Sequence, residues 1–116
     1  MKEKKMNIWL DDQWDDPERP KRWPPKGFIP VKNLAEVEAL MERDPRKIGV
    51  MDFDHDLADF DEDGRERTGL TIIEWLYENQ IDRYPEEIEV HSDNSVGRDN
   101  IRGFDTNVRK YVLSQI

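Results

Sequence analysis

Cysteine is absent from the 116 residues. That excludes a disulfide framework and any thiolate metal site, and it fits a reducing compartment. Long apolar runs are lacking too: nothing approaches the roughly 20 consecutive apolar residues of a membrane span. The Lys-rich start, Met1 to Lys5, leads only into the short run Asn7-Ile8-Trp9-Leu10, so no secretory leader is expected and the expected location is cytoplasmic. Positive charge is scarce, with 18 Lys and Arg against 27 Asp and Glu and a net charge of −9. Such a surface disfavours extended duplex nucleic acid, whose binding rests on neutralising many phosphates. A small phosphorylated ligand stays within reach of a local arginine or a metal ion. Histidine occurs only as His55 and His91, so imidazole chemistry is confined to those two positions.

Hydrophobic residues make up 35% of the chain and charged residues 39%, so the core must be economical. The apolar residues nevertheless fall in periodic blocks, which argues against disorder, and the length suits one domain over residues 1–116. Asn7-Ile8-Trp9-Leu10 reads as a first strand that ends in Asp11-Asp12. The stretch 13–27 holds Pro17, Pro20, Pro24 and Pro25, which argues against helix. It also holds Trp14 and Trp23, and a long loop of that kind packs down as a lid or a core cover. Phe28-Ile29-Pro30-Val31 reads as a second strand, with Pro30 tolerable at a sheet edge.

Asn33 reads as a helix cap, with Glu36 at the capping-box position and Leu34, Val37, Leu40 and Met41 at helical spacing up to the stop at Pro45. Ile48 to Phe53 reads as a buried strand running into Asp54-His55-Asp56-Leu57. An acidic loop over 58–68 precedes a helix with Leu70, Ile73 and Leu76 on one face and Ile72 and Trp75 beside it. Glu87 to Val90 is a further strand, ending in His91-Ser92-Asp93-Asn94. The last helix is expected to start near Gly97 and to present Ile101, Phe104, Val108 and Val112 to the core. Strands alternating with helices predict a parallel sheet with right-handed crossovers. Ligands of open parallel sheets bind beyond the carboxyl ends of the strands, which is where Asp11-Asp12, Asp54-His55-Asp56 and His91-Ser92 fall.

Adjacent carboxylates at one strand end, joined by Asp54 or Asp56 from another, form a hard-oxygen set suited to Mg²⁺; alone, Asp11-Asp12 reads equally well as a solvated turn. His55 between two aspartates is placed for acid–base work, since a neighbouring carboxylate favours its protonated form and fixes its tautomer; the alternative is a structural histidine at a strand end. The turn 93–97 with Arg98 offers backbone N–H groups and a positive charge to a phosphate, although the same residues suit an ordinary capped helix. Asp59-Phe60-Asp61-Glu62-Asp63-Gly64 copies half of an EF-hand loop, but Leu70 stands where the closing Glu belongs, and Arg65 and Arg67 oppose a cation. It reads as a solvated acidic turn. Trp9 and Trp75 read as core; Trp14 and Trp23 pin the loop or offer a stacking face to a base.

A first strand ending in Asp11-Asp12 and a later one ending in Asp54 resembles the acidic pocket of response-regulator receiver domains, with Ser92 at the position of their Ser or Thr. No fifth strand and no matching Lys follow, which argues against a phosphotransfer switch. Asn7-Ile8-Trp9-Leu10-Asp11-Asp12, Phe53-Asp54-His55-Asp56-Leu57 and His91-Ser92-Asp93-Asn94 with Gly97-Arg98 together resemble, over nearly the whole chain, the cyclic-phosphate processing receiver-like family. The resemblance implies a receiver/flavodoxin-like α/β sandwich of three layers, with about four parallel strands in the order 2-1-3-4 and the 13–27 loop in place of the first helix. It implies a phosphoesterase acting on cyclic phosphates of nucleotides or RNA ends. The implied catalytic residues are His55, His91, Asp54 and Ser92, with His55 and His91 as the acid–base pair; the ligand-binding residues are Asp56, Asn94, Gly97 and Arg98. Asp11, Asp12 and Asp54 would hold Mg²⁺ or another divalent metal, and no organic cofactor is implied. Where the family often carries Arg two residues after the Asp pair, this chain has Trp14, and Arg19 or Arg22 is the expected substitute. A non-catalytic nucleotide-binding or protein-interaction module is the alternative reading.

Overall fold

The computed structural model describes residues 4–115. In chain order the elements are β1 (Met6–Leu10), β2 (Phe28–Val31), α1 (Leu34–Arg43), β3 (Ile48–Phe53), the short strands β4 (Asp59–Phe60) and β5 (Glu66–Arg67), α2 (Gly69–Asn79), β6 (Glu87–Val90) and α3 (Ser95–Tyr111). The main sheet is parallel throughout, in the order β2-β1-β3-β6, which is the topology the sequence predicts. β4 and β5 pair as a separate antiparallel hairpin within the stretch read as an acidic loop. Strands of two residues carry no alternation from which to read them.

The register sets Ile8 beside Met51, Trp9 beside Asp52 and Leu10 beside Phe53, and then Met51 beside Ile88, Asp52 beside Glu89 and Phe53 beside Val90. Successive side chains of a strand alternate between faces, so the sheet has one apolar face and one mixed face. Ile8, Leu10, Met51 and Phe53 on the apolar face are fully buried, in a single core cluster with residues of all three helices. Each such side chain contributes roughly 1.5–3 kcal/mol on leaving water. Trp9, Asp52 and Glu89 share the other face. No α-helix joins β1 to β2; the 13–27 loop runs there with a 3-10 turn at Pro20–Arg22. Trp9 Nε1 donates to the carbonyl of Arg22 at 2.9 Å and Trp23 Nε1 donates to that of Asp16 at 2.7 Å, so the tryptophans tie the loop down.

Helix caps follow the sequence with small shifts. Asn33 Oδ1 accepts from Glu36 N at 3.0 Å, but Glu36 Oε1 accepts from the N–H of Lys32 at 2.9 Å instead of that of Asn33. α2 has a reciprocal box between Thr68 and Thr71, a pairing that a search for Glu or Gln at the third position passes over. α3 begins at Ser95, two residues before the expected start at Gly97, because the Asn94 side chain accepts from Gly97 N at 2.9 Å and makes Asn94 the cap. Among the described residues, no helix is long and apolar enough to cross a membrane.

A candidate phosphate site at the carboxyl edge of the sheet

The sheet ladder runs one residue past three strands. Asp11 N donates to Val31 O at 3.0 Å, Asp54 N to Leu10 O at 2.9 Å and His91 N to Phe53 O at 3.0 Å. Each of these residues is the first after its strand, and each lies two positions beyond Trp9, Asp52 or Glu89. Parity therefore turns their side chains to the mixed face, under the 13–27 loop.

There they form a connected array. His91 Nε2 lies 2.9 Å from Asp11 Oδ2, and its Nδ1 lies 2.7 Å from Asp52 Oδ1. Trp9 stacks flat on the imidazole, with ring centroids 3.9 Å apart and planes 4° from parallel. Arg22 Nη1 donates to Asp11 Oδ2 at 3.2 Å and to Asp54 Oδ2 at 2.9 Å, while its Nη2 lies 3.6 Å from the exposed Asp93. Gln13 N donates to Asp11 Oδ1 at 2.8 Å. Asp11 and Asp54 are almost wholly inaccessible, at 0% and 2% exposed, and Asp52 is at 8%. Burial of carboxylates this deep requires partners of opposite charge.

The electrostatics follow from those partners. Burial would raise the Asp11 pKa, but hydrogen bonds from His91, Gln13 and Arg22 outweigh it and hold the carboxyl below its ordinary value. Burial and the neighbouring charge of Asp11 push Asp54 up, with Arg22 and His91 opposing. Burial disfavours charge on His91, yet its bonds to Asp11 and Asp52 raise its pKa from the ordinary 6.5 to about 9. At neutral pH the ring is an imidazolium that donates from both nitrogens to carboxylates, which can only accept. Burial also works against charge on Arg22, but Asp54 and Asp11 raise its pKa above the ordinary value.

The remaining expected residues form a second group. His55 Nδ1 lies 2.9 Å from Asp56 Oδ1, and Asn94 Nδ2 donates to both Asp56 oxygens at 3.3 and 3.4 Å. Gly97 makes room for His55, since a Cβ there would lie 2.7 Å from the ring Cδ2. Ser92 is buried and its Oγ accepts from Asn94 N at 3.1 Å; Arg98 Nη1 donates to Ser92 O at 2.8 Å. The 92–98 turn is thus an internally bonded cap, with the side chains of Ser92, Asn94 and Arg98 each bonded within it. His91 faces Asp11 and Asp52, while His55 faces Asp56 and Asn94, and no hydrogen bond joins the two rings among the described residues. Asp12 is half-buried; burial and then Asp11 raise its pKa, with its own backbone N–H opposing. Trp14 buries an indole N–H without a partner.

Two members of the array need the structure to be seen. Asp52 reads in the sequence as part of an apolar strand; its signal is that it stands two before Asp54 and so shares its face. Of the two arginines expected to replace the family's early Arg, Arg22 reaches the carboxylates, whereas Arg19 pairs with Asp16 at 3.5 Å.

Donor atoms of Asp11, Asp54 and His91 lie within 4.8 Å of one another, close enough to hold a cation together. Asp12 lies outside that group. As the side chains stand, however, a resident divalent ion does not fit. Both Asp11 oxygens and Asp54 Oδ2 already accept hydrogen bonds from Gln13, His91 or Arg22, and His91 Nε2 carries the proton it gives to Asp11, whereas a ligating imidazole must be neutral.

A four-stranded parallel sheet in the order 2-1-3-6, with its acidic residues gathered beyond the carboxyl ends, defines a receiver-like α/β domain. Within that class the chain belongs to the cyclic-phosphate processing receiver domain family, whose model matches residues 6–107. No curated protein and no solved structure matches the chain.

Proposed function

We propose that the chain hydrolyses a cyclic phosphodiester at the end of a small nucleotide or an RNA. The observation that carries this reading is His91, a protonated donor stacked on Trp9, held between Asp11 and Asp52 beside the Arg22 guanidinium. Arg22 Nη2, whose neighbour is the exposed Asp93, contacts a phosphoryl oxygen and offsets the charge that develops on it. His55 directs Nδ1–H to Asp56, which leaves Nε2 with a free lone pair to take a proton from the attacking water. The water oxygen bonds to phosphorus, the ester bond to one ribose oxygen breaks, and that oxygen takes its proton from His91 Nε2. Trp23, 49% exposed on the same loop, gives a base a face to stack on.

Charge supports the diester as substrate. Four carboxylates, Asp11, Asp52, Asp54 and Asp93, against one guanidinium and one imidazolium leave the array with two net negative charges. A cyclic diester brings a single negative charge. The monoester product carries about −1.5 to −2, so repulsion favours its release.

Titration of the purified protein with 2′,3′-cyclic nucleotides, followed by product analysis, tests the proposal. Ring-opened monoester is expected, and His91→Ala is expected to lower kcat by about 10²- to 10⁴-fold, the usual contribution of a positioned acid. Binding without product would replace hydrolysis with nucleotide sensing. Neither binding nor product, with the same result for His91→Ala, would point to a protein-interaction module.

A further inference from the structure

We infer that Arg22 is the resident cation of the Asp11–Asp54 pair, so that the folded chain admits a divalent ion there only when that arginine is withdrawn. The inference concerns ion occupancy of the bare protein and stands whether or not the site turns over.

Three observations carry it. The guanidinium holds one oxygen of each carboxylate: Arg22 Nη1 bonds to the Oδ2 atoms of both Asp11 and Asp54. Asp11 has no uncommitted oxygen, because Oδ2 also takes His91 and Oδ1 takes the N–H of Gln13. The arginine is also delivered by a built segment. It closes the 3-10 turn that starts at Pro20, and its own carbonyl accepts from the indole of Trp9 inside the site. A guanidinium is always charged, and here one of its nitrogens donates to both carboxylates, so it neutralises two buried anions without a bound ion. An ion competing for the pair would have to displace the guanidinium and leave Arg22 without its buried acceptors.

The experiment compares the full-length wild type with Arg22→Gln, each with and without Asp54→Asn, in titrations with MgCl₂ followed by calorimetry and melting temperature. A chain this acidic gathers Mg²⁺ weakly everywhere, so the informative quantity is the part of the response that Asp54→Asn removes. In the wild type that part is expected to be nil. In Arg22→Gln, which keeps the backbone carbonyl bonded to Trp9, melting temperature is expected to fall without metal and recover with Mg²⁺. Its binding is expected to be tighter than that of the wild type by about tenfold or more, and Asp54→Asn should abolish the gain. Equal Asp54-dependent binding in wild type and Arg22→Gln would overturn the inference, as would an Arg22→Gln chain that neither binds nor recovers. Should Arg22→Gln fail to fold, Arg22→Lys serves in its place. Lysine ends in a compact, strongly hydrated ammonium that leaves a buried pair for water more readily than a guanidinium does, so Asp54-dependent Mg²⁺ binding above that of the wild type is expected, and its absence would equally overturn the inference.

Discussion

With both ring nitrogens bonded to carboxylates and a pKa raised from 6.5 to about 9, His91 stabilises the folded chain in its charged form. The folded value lies above the ordinary one, so this stabilisation is complete below about pH 6.5 and is lost as pH rises through about 9. The shift corresponds to roughly 3 kcal/mol. Asp11 behaves in the opposite sense. Its depressed pKa adds stability above the ordinary carboxylate range, and that stability goes as pH falls through the folded value. Thermal melts between pH 6 and 10 should therefore show a decline in the wild type that His91→Gln largely removes. Parallel declines in the two proteins would assign the alkaline loss to other groups. Asp11, Asp54 and His91 were legible because each interrupts an apolar strand at its carboxyl end. Asp52 was hidden by the same logic, since a carboxylate inside the apolar run Ile48 to Phe53 is read as an interruption of the core unless its parity with Asp54 is noticed. Nothing local in the sequence separates Arg22 from Arg19, because the choice depends on where the loop turns.

At the scale of elements, periodicity gave the helices and the four sheet strands, while their ends depended on side-chain caps. The turn 93–98 suits both a ligand contact and a helix cap, and Asn94 is the cap that starts α3 at Ser95. The 13–27 loop was legible as a non-helical cover from its prolines, and the structure adds what fastens it. Trp9 works on both sides at once, stacking on His91 and donating its indole N–H to Arg22 O. Trp9→Phe keeps a stacking face and removes the donor. It is expected to cost about 1 kcal/mol, the net worth of one such bond. It should also speed amide exchange across residues 13–27 while leaving α2 and its box at Thr68 unchanged. Equal acceleration in α2 would mean that Trp9 acts on the core as a whole and not on the loop.

For the whole molecule, the alternation of strands and helices fixed the parallel sheet, and the family match over residues 6–107 agrees with it. The sequence could not show that the two faces of the sheet differ so strongly. Helices need apolar surface and take the face of Ile8, Leu10, Met51 and Phe53, while charged groups and the loop take the other. Within the overall charge of −9, Arg22 and His91 offset two of the site's carboxylates.

The strand order also leaves β2 and β6 with unpaired rims, a standing invitation to aggregation through intermolecular β-pairing. Val31 O accepts from Asp11 N on the inner side, so the backbone of the preceding residue, Pro30, faces outward, where it has no N–H to offer another chain. The opposite rim bears Glu87 and Glu89, both exposed, whose like charges would stack against those of an identical neighbour. Pro30→Val together with Glu87→Val and Glu89→Val should therefore form more thioflavin-positive assemblies on concentration than the wild type does. Dispersion of the triple variant would show that something other than these three residues keeps the rims apart.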